Sequence, residues 1–108
     1  KTAYEIKECY WSSDVCSSDL AVKTFEELWQ EIENKLANKD PDSGSVKLVS
    51  AGVHEIGKKI MEEAGEVWLA AEHQSNSDLA LEISQLIYYL QLIAQARDIK
   101  IEEIYKEL

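Results

Sequence analysis

Val53-His54-Glu55-Ile56-Gly57-Lys58-Lys59-Ile60-Met61-Glu62-Glu63-Ala64-Gly65-Glu66-Val67 places apolar residues at Val53, Ile56, Ile60, Ala64 and Val67, three or four positions apart. That spacing is the period of one helix face. The stripe runs on to Ala71 and predicts a helix from about residue 50 to residue 73. Gln74-Ser75-Asn76-Ser77 interrupts it, with Ser77 a candidate N-cap for the next helix. That helix carries Leu79, Ile83, Leu86, Ile87, Leu90, Ile93 and Ala94 on one face, while Tyr88, Tyr89 and Leu92 fall outside the stripe. A helix apolar on more than one face must be buried on more than one face. In a chain this short, the second face is expected to meet another subunit.

Upstream, Thr24 with Glu27 three residues later forms a capping box. It opens a helix whose apolar positions are Phe25, Leu28, Trp29, Ile32 and Leu36. This helix should end before Asp40-Pro41, because the residue preceding proline is pushed out of the α region. Residues 41–45, Pro-Asp-Ser-Gly-Ser, read as a loop. Downstream, Arg97-Asp98 breaks the pattern where a helix-ending glycine would be comfortable, and a short last helix spans 101–108. Trp29 and Trp68 are expected to be packing anchors. The fold reading is all-α, an antiparallel helical bundle of about four helices, completed by homodimerisation.

The 108 residues suit one domain, at 45% hydrophobic and 30% charged. One proline and four glycines argue against a turn-rich all-β fold. No apolar run approaches the ~20 residues of a membrane-spanning helix. A formal charge of −10 repels phosphate backbones, so a nucleic-acid partner is disfavoured. An acidic protein that handles phosphates needs a bridging cation. Cys9 and Cys16 make neither a disulfide framework nor a zinc quartet, and a reducing cytoplasm is the expected compartment. Both lie in residues 1–20, where Ser-Ser-Asp repeats without helical period. That segment is expected to be a disordered or non-native leader to a domain spanning 21–108.

The chemistry stands beside the stripes. Glu63 and Glu66 border the apolar face of the second helix, with Lys59 on the same side and Glu62 further round. Glu82 borders the face of the third helix, with Gln85 one turn on and Tyr89 beyond. Antiparallel packing through the stripes would gather these carboxylates in one cleft. Like charges so close are unfavourable unless a cation binds among them. Magnesium, which takes hard oxygen ligands and shares its shell with phosphates, fits best. A solvated acidic face with Lys–Glu pairs is the plainer account of the same residues.

Residues 52–67 and the stretch Glu82-Ile83-Ser84-Gln85-Leu86-Ile87-Tyr88-Tyr89 resemble the signature of the phosphoribosyl-ATP pyrophosphohydrolase family, closest to its actinobacterial branch. The likeness spans roughly residues 20–108. The family belongs to the all-α nucleotide pyrophosphatases related to MazG-type enzymes. The resemblance implies magnesium-dependent hydrolysis of phosphoribosyl-ATP to phosphoribosyl-AMP and pyrophosphate, the second step of histidine biosynthesis. By position, Glu63 and Glu66 match a Glu-x-x-Glu pair and Glu82 the first carboxylate of a Glu-x-x-Asp pair. Gln85 stands where related pyrophosphatases carry Asp, which favours fewer ions or a shifted ligand. The metal ligands implied are then Glu63, Glu66, Glu82 and Gln85. Glu62 or Glu63 serves as catalytic base. Lys59, Ser43, Ser45 and Tyr88 contact substrate, with the serines where the family carries a Ser-x-Thr loop.

Two other readings are a MazG-type pyrophosphatase acting on ordinary nucleoside triphosphates and a non-catalytic helical dimerisation module. A chain beginning at Ala21 is expected to match the full chain in melting temperature and activity; loss of folding would show that residues 1–20 belong to the domain.

Overall fold

The computed structural model describes residues 22–108, so the expectation for residues 1–20 lies outside the described residues. Five helices follow in order: α1 Phe25–Asn38, α2 Gly44–Ala51, α3 Val53–His73, α4 Asn76–Ala96 and α5 Ile101–Lys106. The all-α expectation holds, with one helix more than the periodicity suggested.

The caps explain most boundaries. Thr24 Oγ1 accepts from the Glu27 amide at 3.1 Å, and Glu27 Oε1 accepts from the Thr24 amide at 2.8 Å. The capping box is therefore complete at the head of α1. Lys39, in the left-handed region at φ 54°, closes this helix just before Asp40-Pro41. Asp98 takes the same conformation after α4, at φ 59°.

Three boundaries differ from the sequence reading. Residues 41–45 are not all loop, because Ser43 caps a helix by accepting from the Val46 amide at 3.3 Å. Gly44 and Ser45 thus lie in the first turn of α2. The long helix begins at Val53 because Gly52, at φ 112°, breaks the backbone between α2 and α3. Side chains rarely adopt that conformation, and glycine adopts it freely. At the head of α4 the cap is Ser75 rather than Ser77, with Ser75 Oγ accepting from the Asp78 amide at 3.1 Å. That choice puts Asp78 in the first turn, where its charge favours the positive end of the helix dipole.

α3 and α4 form the central hairpin, joined by two residues and packed along their lengths. α1 and α2 cover one side of it. The core centres on Ile32, Ile56 and Leu92, one from each of three helices, all at most 1% exposed. Leu28, Leu36, Leu48, Ile60 and Tyr89 surround them. In α3 the buried pair is Ile56 and Ala70, whereas Val53, Ala64 and Ala71 are exposed. The register follows α1 and α2, which reach only part of the hairpin. Trp29 is a packing anchor, buried in α1, but Trp68 is 68% exposed and is not one within this chain.

Polar ties fix α1 in place. Gln91 and Gln95, one turn apart on α4, donate to the carbonyls of Phe25 and Trp29, one turn apart on α1, at 3.1 and 3.0 Å. Tyr105 of α5 donates to Glu26, and its ring lies 6.0 Å from that of Phe25. Leu92→Ala should cost about 3 kcal/mol, because it empties a site with no exposure and three helices around it. Urea unfolding measures it; a loss below about 1 kcal/mol would mean that the core relaxes into the space.

Candidate active site

The α3–α4 contact gathers the carboxylates. Glu63 is half-buried on α3, and its Oε1 is enclosed with no hydrogen-bond partner. Its carboxyl lies against that of Glu82, half-buried on α4, with Glu66 and Glu62 close enough for their charges to act on it. Burial, then the hydrogen bond and charge of Glu82, then the charges of Glu66 and Glu62, push Glu63 up to about 7. Two carboxylates this close raise the pKa of one of them unless a cation stands between them.

Lys59 does not reach Glu63; its Nζ stands 3.7 Å from Glu62 Oε1, one turn on and largely exposed. Such a pair contributes little to stability. Gln85 is half-buried one turn after Glu82. Among the described residues no three ligating side chains already surround a common point. The cluster is open, and an ion there would complete its shell from water and substrate.

Ser43 and Ser45 meet different fates. Ser43 is spent on capping α2, while Ser45 is buried and its hydroxyl is hydrogen-bonded to that of Tyr88. Tyr88 is largely buried, and burial is the main cause of its raised pKa. Its ring meets Tyr89 edge-on, 5.0 Å between centroids at 66°. Tyr89 is the tyrosine whose phenol lies in the field of Glu63 and Glu62. Burial first, then Tyr88 and those two carboxylates, push its pKa up to about 12, so it is a donor at every physiological pH. The helical period allowed this: Tyr89 is two turns beyond Glu82, on its face. Residue type does not separate it from Tyr88. A cavity of about 300 Å³ between α1 and α5, lined by Trp29, Glu33, Lys100 and Ile101 among others, holds none of these residues.

A helical bundle that brings glutamates together from two facing helices has the arrangement from which ligand and metal sites are built. The comparisons narrow the class. A family model described as Phosphoribosyl-ATP pyrophosphohydrolase matches residues 22–108. A relative from Salinibacter ruber (strain DSM 13855 / M31), named Phosphoribosyl-ATP pyrophosphatase, is 52% identical over 87 residues. That match covers 81% of this chain and all of the relative. The chain belongs to the phosphoribosyl-ATP pyrophosphohydrolase family and is a diphosphatase enzyme.

The raised pKa of Glu63 makes a stability prediction. Between the ordinary carboxylate range and about pH 7 the folded chain holds a proton that the unfolded chain has released. More protons bound in the folded state means that stability falls as pH rises through that window. In EDTA, Glu63→Gln should therefore narrow the difference in melting temperature between about pH 5 and about pH 7.5. An unchanged difference would place the proton uptake elsewhere.

Proposed function

We propose that this chain hydrolyses phosphoribosyl-ATP to phosphoribosyl-AMP and pyrophosphate with magnesium, as the second step of histidine biosynthesis in the cytoplasm. The observation that carries the metal-dependent part is the enclosed, unpartnered Glu63 Oε1 among the carboxylates of Glu62, Glu66 and Glu82. An oxygen lone pair buried without a donor is costly, and a divalent cation satisfies it. The ligands would be Glu63, Glu66 and Glu82, with Gln85 offering one neutral oxygen. Bound magnesium supplies charge neutralisation and Lewis-acid polarisation of the phosphate oxygens.

The chain's own residues do the rest. Glu62 and Glu63 are the groups placed to orient the attacking water and take its proton. Lys59 offers a cation to a phosphate by leaving its weak pair with Glu62. Ser43, Ser45 and Tyr88 enter as the wall of the cleft, because their hydroxyls already serve the fold.

The same proposal includes a homodimer. Met61, Trp68, Leu69, Leu81, Ile83 and Leu90 lie exposed on α3 and α4. A second copy packed on this hairpin would remove part of that apolar surface from water.

Pyrophosphate release from phosphoribosyl-ATP, with ATP and dCTP in parallel, is the test. Release from phosphoribosyl-ATP alone, abolished by EDTA and lowered about 100-fold or more by Glu63→Gln, is expected. Release from the common triphosphates would favour nucleotide cleaning. No release from a folded dimer would favour a non-catalytic module. Sedimentation should give twice the chain mass, and Trp68→Glu should shift it towards monomer.

A further inference from the structure

We propose that the Tyr89 hydroxyl contacts the substrate directly, donating a hydrogen bond to a non-bridging phosphate oxygen held in the Glu63–Glu82 cleft, while Tyr88 and Ser45 position it. This rests on the reaction proposed above and adds a residue to its machinery.

Glu82, Gln85 and Tyr89 are spaced three and four residues apart on α4, so they share one face, and α4 packs most extensively against α3. Tyr89 is half-buried, its ring against the Ile32–Ile56–Leu92 core. Its hydroxyl makes no hydrogen bond to any described residue, whereas that of Tyr88 is fastened to Ser45 on α2. The edge-on contact of the two rings then restricts how Tyr89 can turn. A fixed ring with an uncommitted hydroxyl beside the carboxylates is a pre-organised donor.

Charge explains why a neutral donor belongs there. A polyphosphate entering this cleft meets Glu62, Glu63, Glu66 and Glu82, and the nearby lysine, Lys59, is already beside Glu62. Beside that lysine, a neutral O–H group can hold a phosphate oxygen without adding charge of either sign. The phenol stays protonated, so it offers a hydrogen to an acceptor without bringing a charge of its own.

Tyr89→Phe keeps the ring and removes the hydroxyl. It should lower kcat for phosphoribosyl-ATP by about 10- to 100-fold, with a melting temperature close to that of the unsubstituted chain. Ser45→Ala should lower kcat on its own yet add little in the Tyr89→Phe background, because Ser45 acts through Tyr89. A purely structural Ser45 would impair both backgrounds alike. If Tyr89→Phe turns over like the unsubstituted chain and only Tyr89→Leu is impaired, ring packing is the whole role and the inference is overturned. An unsubstituted chain that leaves phosphoribosyl-ATP intact would instead overturn the underlying reaction, a result read before any variant is made.

Discussion

The contact between α3 and α4 is the constraint from which the rest of the molecule follows. Two helices of 21 residues each, joined by two residues, can bury their apolar stripes only by lying antiparallel. Once they do, whatever borders the stripes is brought face to face. On α3 the border holds Glu63 and Glu66; on α4 it holds Glu82, Gln85 and Tyr89. The apolar interior and the acidic cleft are therefore one packing event. Burial of Ile56 and Leu92 drives together the carboxylates of Glu63 and Glu82, which would separate if free.

That arrangement places a stability cost at the acidic contact. The raised pKa of Glu63 makes that contact depend on pH, with stability falling as the pH rises towards about 7. The rest of the fold is tied more firmly to compensate. Gln91 and Gln95 hold α1 in register against α4, since a shift by one residue would break both bonds at once. Gln91 accepts a further cost there, because its Oε1 is buried without a partner, a loss of about 1–3 kcal/mol. A leucine at position 91 would pack as well but would not specify where α1 sits. Leu28 and Leu36 of α1 pack on the same Ile32–Ile56–Leu92 cluster as Tyr88 and Tyr89, so the register of α1 and the placement of the tyrosines share one core.

What the sequence made legible is what local rules govern. Helical period located α1, α3 and α4, and the Thr24–Glu27 box and the Asp98 break marked two ends correctly. The grouping of Glu63, Glu66 and Glu82 was legible because it needs only 100° per residue and an antiparallel partner. The helix α2 was not, since eight residues of Gly-Ser-Val-Lys-Leu-Val-Ser-Ala carry too short a period to stand out from a loop. Its existence depends on the Ser43 cap and on Gly52 ending it, a backbone fact that the residue letter permits without requiring. The division of labour between Tyr88 and Tyr89 was hidden for a different reason. Adjacent residues on a helix point about 100° apart, and which one meets Ser45 and which meets Glu63 depends on where α2 lands.

Net charge sets the last constraint. At −10 the chain repels a polyphosphate at long range, and its own lysines beside the cleft are few and already near glutamates. Attraction must then be generated locally, within a Debye length of about 8 Å at physiological salt. Cations held by the carboxylates, as the proposed reaction requires, would reverse the sign of the field at the acidic contact. A polyphosphate that shares a divalent ion would then be attracted where a bare anion is repelled. On that reading the acidic composition favours neutral donors such as the Tyr89 hydroxyl over further lysines, which would compete with the cation for the same carboxylates.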